Sequence, residues 1–149
     1  MKVSEVLSTN IIKISKDASV LDAAKLLFKN QVSGLLVVNE HDELVGLISE
    51  KDIYRALYPD YKDFYLHPEA YLDFEQMESK AEHVKHWPVE RLMRRELYTI
   101  TDTDPLMKVG ALMLSKNVNR LPVINKNGKL VGIVSRREIY QHIFQKEFI

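Results

Sequence analysis

The sequence predicts a mixed α+β protein built from two similar β-α-β-β-α modules, and three observations support this fold class. The chain repeats itself at a fixed spacing, two segments have apolar residues at helical spacing, and each copy contains two short apolar segments typical of a strand hairpin. A single module of about 55 residues would be only marginally stable alone, so we expect the two modules to share an interface.

The repeat is an internal duplication with an offset of 86 residues. Aligned without a gap, residues 3–57 and 89–143 are identical at 13 of 55 positions. The identical pairs are Val3/Val89, Ile14/Ile100, Leu26/Leu112, Val32/Val118, Leu35/Leu121, Val37/Val123, Asn39/Asn125, Leu44/Leu130, Val45/Val131, Gly46/Gly132, Ser49/Ser135, Ile53/Ile139 and Tyr54/Tyr140. A chance match would not keep its register through the turns, so the pattern indicates a duplication.

The same order of elements is predicted in both copies: an amphipathic turn, a brief strand, a helix, a strand hairpin and a final helix. In the first copy these elements span Val3–Leu7, Ile11–Ile14, Ser19–Asn30, Leu35–Asn39 with Leu44–Ser49, and Glu50–Leu57. In the second copy they span Val89–Met93, Leu97–Ile100, Pro105–Lys116, Leu121–Asn125 with Leu130–Ser135, and Arg136–Phe144. The hairpin strands are apolar almost throughout, which predicts that both faces of each sheet are covered.

Two local signals mark boundaries in the second copy. Pro105 at the first helical position, after Asp104 as a cap, predicts the start of a helix. Asn127 and Gly128 between the hairpin strands predict a tight turn in which both residues have positive φ.

The composition argues against several classes of protein. Basic and acidic residues number 21 each, so no net charge steers the chain towards nucleic acid or an anionic membrane. The chain has no cysteine for disulfides or thiolate metal sites. Its apolar runs, such as Leu44–Ile48, are too short to span a bilayer, and residues 1–5 contain no hydrophobic signal region. We therefore expect a soluble, cytoplasmic protein with neither a nucleic-acid nor a membrane partner.

No signature of catalysis is present. The sequence, with five glycines, contains no phosphate-binding glycine loop, no Gly-x-Ser-x-Gly motif and no nucleophile beside a base. We expect a protein that is not an enzyme, with no catalytic residues and no catalytic cofactor. His83 and His86 have a spacing that suits a shared metal ion, but no third ligand is evident, so no metal site is predicted.

The hairpins carry a family resemblance. Val32–Val38 and Val118–Ile124 are each followed by Leu-Val-Gly, two apolar residues, a serine and, three positions later, an acid. In register, these segments resemble the cystathionine β-synthase-type (CBS) domain in its usual tandem pair. The resemblance implies two modules related by pseudo-two-fold symmetry, with clefts that bind AMP, ADP, ATP or a related adenosyl ligand. It also implies association through helices into a homodimer.

The junction after each hairpin is the sharpest candidate for ligand binding. Ser49 and Asp52 in the first copy, and Ser135 and Glu138 in the second, each follow a strand and open a helix. From the residues alone, the serine could cap the helix and the acid could interact with the helix dipole. The resemblance implies instead that the acid accepts hydrogen bonds from both ribose hydroxyls while the serine contacts ribose or phosphate. Glu138 is one methylene longer than Asp52, so its carboxylate would reach past the ribose.

The resemblance also implies contacts from the strands. The backbone of the first strand would lie against the ligand, and the base would rest on apolar residues at the start of the hairpin, which also fit a core. The first-strand residues are Ile12 and Lys13 in one copy and Tyr98 and Thr99 in the other, and the apolar residues are Leu35 to Val37 and Leu121, Pro122 and Val123. Lys13 could reach a phosphate or lie solvated on an edge strand.

The two sites are predicted to be unequal. Arg120 resembles a family position that contacts phosphate, whereas its counterpart is Gly34. The first site thus has the better ribose acid, and the second has Thr99 and the cation. Four further arginines could add to an anion site or be solvated, namely Arg94, Arg95, Arg136 and Arg137.

An insertion separates the copies, and we predict domain boundaries at 1–58, 59–87 and 88–149. Helix is predicted after Pro59 and from Pro68 to about Lys85. The second segment carries an apolar stripe formed by Tyr71, Phe74, Met77, Ala81 and Val84. This stripe would pack on its own domain or on a partner, and Tyr61, Phe64 and Tyr65 would shape a lid or a dimer contact.

The leading hypothesis from the sequence is a regulatory protein that binds an adenine nucleotide in the cleft between two CBS-type modules. It would act as a homodimer on an unidentified protein target in trans. The alternative is a dimerisation or scaffold module whose clefts stay unoccupied.

Overall fold

The computed structural model describes residues 1–58 and 74–149, with residues 74–77 described by their backbone alone. These residues form two compact units, each with one three-stranded sheet and flanking helices, which confirms the mixed α+β fold class. Unit A comprises Lys13–Asn39 and Val45–Arg95, and unit B comprises Met1–Ile12, Glu40–Leu44 and Glu96–Ile149. None of the helices in the described ranges has the length and apolar character needed to cross a bilayer.

The sheet of unit A has the strand order β1-β2-β3. Its elements are β1 (Lys13–Ser15), α1 (Val20–Asn30), β2 (Gly34–Val38), β3 (Leu44–Ser49), α2 (Glu50–Ala56) and α3 (Phe74–Val84). β1 runs parallel to β2, with Ile14 opposite Val37. Ser19 caps α1, because its Oγ accepts the N–H of Asp22 at 3.0 Å.

The sheet of unit B repeats this arrangement. Its elements are β4 (Ile100–Thr101), α4 (Leu106–Lys116), β5 (Arg120–Ile124), β6 (Leu130–Ser135) and α5 (Arg136–Glu147). β4 is parallel and β6 antiparallel to the central β5. The core consists of Val3, Val6, Ile100, Leu106, Val109, Met113, Leu121, Val123, Val134 and Ile139.

Burial follows the position of each strand in its sheet. Four of the five residues of the central β2 are buried, as the covered-strand prediction requires. In the edge strand β6, buried residues alternate with half-buried ones. The inner strands β2 and β5 are therefore buried over most of their length, whereas the edge strand β6 is buried at alternate residues.

Each unit takes its first turn from the other copy of the repeat. A 3₁₀ turn at Val3–Glu5 contributes Val3 to the core of unit B, and a 3₁₀ turn at Val89–Arg91 buries Val89 in unit A. The following residues form matching bridges, Ser8 with Ile133 and Arg94 with Leu47, each through two backbone hydrogen bonds of 2.8–3.0 Å. The compact units therefore cut across the repeat, and Ser8 and Arg94 occupy equivalent places.

The start of α4 differs from the prediction. Pro105 is the extended N-cap residue rather than the first helical residue, and Asp104 does not cap the helix. Instead, Oδ2 of Asp104 accepts the N–H of Thr101 at 2.9 Å. The N–H of Leu106 donates to the carbonyl oxygen of Met1 at 2.9 Å, so the incoming N-terminal segment supplies an acceptor for this helix end.

The turn between β5 and β6 also corrects the prediction. Gly128 has a positive φ of 79°, but Asn127 does not adopt the left-handed region. The side chain of Asn125 accepts the N–H groups of Asn127 and Lys129 at 2.9 and 3.0 Å and thereby organises the turn.

The second predicted helix of the insertion is confirmed over Phe74–Val84. Val84 is buried, and the N–H of Val20 donates to the carbonyl oxygen of Trp87 at 2.8 Å, so this end of the helix packs within unit A. The helix predicted after Pro59 and the predictions for Tyr61, Phe64, Tyr65 and Tyr71 lie outside the described residues.

Candidate functional site

The junction between β3 and α2 places Ser49 and Asp52 in a reciprocal pair of hydrogen bonds. Oγ of Ser49 accepts the N–H of Asp52 at 3.2 Å. Oδ2 of Asp52 accepts the N–H of Ser49 at 3.0 Å and its O–H at 2.8 Å. The capping interpretation of these residues is thus satisfied, and both acceptor positions on Oδ2 are used.

The other oxygen of Asp52 faces Arg94. Nε of Arg94 donates to Oδ1 at 3.2 Å, and the side chains are 53% and 9% exposed for Arg94 and Asp52, respectively. Arg94 reaches this position because its backbone pairs with Leu47 on the edge of β3. The sequence did not indicate Arg94 for the first site, because Arg94 belongs to the second copy of the repeat. The feature of the sequence that could have indicated this difference between the sites is the alignment of Arg94 with the uncharged Ser8 at the 86-residue offset.

The equivalent junction in unit B is more open. Oγ of Ser135 accepts the N–H of Glu138 at 3.2 Å, which caps α5. The carboxylate of the half-buried Glu138 makes no hydrogen bond or ion pair with any residue in the part of the chain that the structure describes. Arg120 is exposed and lies opposite Ser135 in the register of β5 and β6, so these two predicted site residues are neighbours.

Of the four predicted first-strand residues, Ile12, Lys13, Tyr98 and Thr99, the structure places only Lys13 in a strand. Lys13 begins β1 and is exposed, opposite Leu36, whereas Ile12 is half-buried and belongs to unit B. Thr99 is exposed and precedes β4 rather than lying in it. Tyr98 is 47% exposed, with Nζ of Lys116 located 5.2 Å from its ring centroid.

The predicted base-contacting residues fill the two cores. Leu35, Val37 and Leu121 are at most 1% exposed, and Pro122 is also buried. Their side chains therefore serve packing in this structure, and their contact with a base stays a prediction.

Three of the four further arginines have protein partners. Besides Arg94, Arg95 pairs with Glu90 at 3.2 Å, and this hydrogen bond, with that from Lys16, lowers the pKa of the Glu90 carboxyl. Arg136 donates to the carbonyl oxygens of Val118 at 2.9 Å and Met113 at 3.3 Å, where α4 ends. Arg137 is exposed. Within residues 1–58 and 74–149, no three histidine or acidic side chains come together as a metal site would require.

Comparison with known families agrees with this repeated architecture. The sequence model of the CBS domain family matches residues 3–59 and again residues 89–145. The chain belongs to the CBS domain family. The matches fall on the two copies of the duplication, so the chain carries two CBS domains in tandem.

Solved CBS pairs share the fold over nearly the whole chain. CBSX2 of Arabidopsis thaliana, whose crystal structure is in complex with AMP, is 26% identical, with a TM-score of 0.73 and 98% of each chain covered. The CBS domain pair of MJ0100, in complex with 5′-methylthioadenosine and S-adenosyl-L-methionine, is 27% identical, with a TM-score of 0.69. That comparison covers 99% of this chain and 98% of MJ0100's.

Relatives differ in how much of their length the CBS pair represents. The chain is 28% identical to the uncharacterized protein MJ1426 of Methanocaldococcus jannaschii and covers 90% of it, with 95% of this chain aligned. It spans only 24% of the homoserine O-acetyltransferase of Methanosalsum zhilinae, at 26% identity over 95% of this chain.

The first CBS domain also carries an apolar groove between α1 and α2. The groove has a volume of about 600 Å³ and is lined by Ala24, Leu27, Phe28, Glu50, Lys51, Ile53, Tyr54 and Leu57. Phe28 is 87% and Tyr54 61% exposed. An apolar surface of this kind is typical of a contact with another protein.

Proposed function

We propose that this CBS pair is a regulatory module that binds an adenine nucleotide, AMP, ADP or ATP, and acts on a partner protein in trans. The observation that carries the proposal is the strand-to-helix junction that presents a serine and an acid twice, Ser49 with Asp52 and Ser135 with Glu138. CBSX2 holds AMP, and the MJ0100 pair holds 5′-methylthioadenosine and S-adenosyl-L-methionine. These three ligands share the adenine base and the ribose ring with its two neighbouring hydroxyls, which supports recognition of base and ribose above all.

The proposed role of the acids follows from hydrogen-bond chemistry. A ribose presents two neighbouring hydroxyl donors, and an ionised carboxylate has acceptor positions on both oxygens. The carboxylate of Glu138 has no partner among the described residues, so it can accept such donors without losing an interaction. We assign Arg120, the neighbour of Ser135, to the ligand's phosphate, because a guanidinium pairs well with that group.

Regulation, rather than catalysis, is the proposed activity. The acetyltransferase activity in the name of one relative belongs to a protein of which this chain spans 24%, so it is not carried over. Action in trans would be tested by affinity capture of partner proteins with and without the nucleotide. A partner whose binding does not respond to the nucleotide would contradict this part of the proposal.

A thermal-shift panel with AMP, ADP, ATP, S-adenosylmethionine and NAD tests ligand binding. A ligand that binds only the folded state raises the melting temperature, by an amount that grows with its concentration relative to Kd. We expect at least one of AMP, ADP and ATP to give the largest shift, and the double variant Asp52→Ala/Glu138→Ala to lose it. If no member of the panel shifts the wild-type protein, the proposal is wrong.

The α1–α2 groove favours a second candidate, a dimerisation or scaffold module without a ligand. Phe28 and Tyr54 expose apolar surface that a second copy could bury. This candidate predicts a dimer whose stability no nucleotide changes. The proposed regulatory module is a homodimer whose melting temperature rises when nucleotide binds, so the thermal-shift panel distinguishes the two candidates.

A further inference from the structure

We propose that Arg94 closes the first ribose site in the ligand-free protein and makes that site selective for phosphorylated adenosines. The inference rests on the proposed function, because it assigns Asp52 to the ribose. It concerns a residue of the second copy that lies in unit A together with Asp52.

The number of acceptor positions on Asp52 sets up a competition. Oδ2 already accepts two hydrogen bonds from Ser49. Oδ1 accepts one from Nε of Arg94 at 3.2 Å, so one of the four acceptor positions of the carboxylate is free among these contacts. A ribose diol brings two donors. Both can bind only if Arg94 leaves Oδ1.

Arg94 can leave its side-chain partner without leaving the site. Its backbone stays attached to β3 through hydrogen bonds of 2.8 and 3.0 Å to Leu47. Its side chain is 53% exposed and can turn to solvent, whereas that of Asp52 is only 9% exposed. The two ribose donors replace the donor that Arg94 withdraws, so the carboxylate is not left unpaired. The released guanidinium is then available to an anion, and a phosphate on the same ribose offers it a charge-assisted contact that adenosine lacks.

The second copy lacks this competition. Ser8 occupies the place of Arg94, paired with Ile133 as Arg94 is with Leu47. The acid of that site, Glu138, has no cation beside its carboxylate among the described residues. Selectivity through a displaced arginine is therefore a property of the first site alone.

Calorimetry with adenosine and AMP tests the proposal on the full chain carrying Glu138→Ala, so that the first site is measured. Arg94→Gln should tighten adenosine binding by up to about fivefold, because it removes the competing ion pair. The same change should weaken AMP binding about tenfold, because it removes the partner of the phosphate. Arg95→Gln is the matched control, since it removes the same charge from the next residue, whose partner is Glu90, and it should change neither affinity.

The outcomes separate the inference from the proposed function. If none of AMP, ADP and ATP binds the wild-type chain, or if Asp52→Ala/Glu138→Ala leaves their affinities unchanged, the proposed function fails and the inference with it. If only the first site, measured in the chain carrying Glu138→Ala, fails to bind or does not depend on Asp52, the inference alone is overturned. If binding depends on Asp52 but Arg94→Gln behaves like Arg95→Gln, or changes both ligands equally, only the inference is overturned. The nitrogen-15 resonance of Arg94 Nε gives a readout without substitution at Arg94. Adenosine and AMP should move it to different positions, and an unchanged resonance would contradict displacement.

Discussion

A side chain on Gly46 would collide with Met93. A Cβ atom at Gly46 would lie 2.5 Å from Sδ of Met93 and 2.9 Å from the carbonyl oxygen of Arg94. At the equivalent Gly132, a Cβ atom would lie 2.7 Å from Cδ1 of Leu7. Both glycines lie on the edge strand where the turn from the other copy docks, so the close backbone approach leaves no room for a side chain.

Gly46→Ala should therefore lower the free energy of unfolding by about 1–3 kcal/mol, as measured by urea denaturation. The matched control is Gly110→Ala in α4, where a Cβ would meet Cγ2 of Ile139 at an ordinary 3.7 Å. That variant should be unchanged or more stable by up to about 1 kcal/mol, because alanine favours the helix. Equal stability of the two variants would show that the turn does not need a glycine beneath it.

Asp52→Ala should weaken binding of adenine nucleotides by about ten- to a hundredfold, because it removes a charge-assisted contact worth about 1.5–3 kcal/mol. It should also destabilise the fold by about 0.5–2 kcal/mol through loss of the capping box. Asp22→Ala is the matched control, because Asp22 is the third residue after the cap Ser19 of α1, as Asp52 is after Ser49, and it lies outside the site. Calorimetry in which both variants bind nucleotide like the wild type would reject the assignment of Asp52.

Arg120→Ala should weaken binding of AMP or ATP more than that of adenosine, because a cation beside a phosphate acts only when a phosphate is present. The difference should shrink as salt rises, since ions screen an exposed contact. Titrations with nucleotide and nucleoside at two salt concentrations measure both effects, with the exposed Arg137→Ala as the control. Equal losses for both ligands would make Arg120 a packing or surface residue.

The protein should be a homodimer in light scattering, with a mass of about 35 kDa rather than the 17.3 kDa of one chain. Phe28→Ser should shift the equilibrium towards the monomer, because Phe28 lines the α1–α2 groove. Phe148→Ser removes a similarly exposed ring outside that groove and should leave the dimer intact. A mass of 17.3 kDa at every concentration would refute the dimer.

Asp104 should contribute stability that disappears in acid. The N–H of Thr101 donates to its carboxylate and, as the main cause, lowers the pKa of Asp104 in the folded protein. A lowered folded-state pKa stabilises the fold above the unfolded-state pKa, and this contribution is lost as pH falls through the folded value. Asp104→Asn keeps an acceptor but not the charge, so its urea midpoint should fall less between about pH 5 and pH 2. The side chain of Asp102 has no partner within the described ranges, so the urea midpoint of Asp102→Asn should change with pH as that of the wild type does.

Much of the fold could be predicted because the duplication confirms each element twice. The strands Leu44–Ser49 and Leu130–Ser135 have the predicted bounds, and α1 and α4 differ from prediction by one residue at their starts. α5 continues to Glu147 rather than ending at Phe144. Phe144 in its last turn and Phe148 just after it are both exposed, so no pattern of buried apolar residues marks where this helix ends.

The exchange of turns could not be predicted from the same pattern. Val3 and Val89 are identical residues in similar surroundings, so either could fill either core. Local rules failed where distant atoms intervene, as when the carbonyl oxygen of Met1 accepts the N–H of Leu106 that Asp104 was expected to serve. For the same reason, the sequence placed Arg94 with the second copy, and its contact with Asp52 became visible only in the structure.

The exchanged turns also determine when the protein can complete its fold during synthesis. The bridges Ser19–Pro88 and Lys2–Pro105 join residues about 70 and about 100 positions apart, which makes folding depend on late, non-local contacts. Val3 and Ile139 belong to the same core, so the segment around Val3 cannot complete its packing until almost all of the described sequence has emerged from the ribosome. During that interval its apolar side chains are open to chaperones, and slowing translation of the second copy should prolong this exposure.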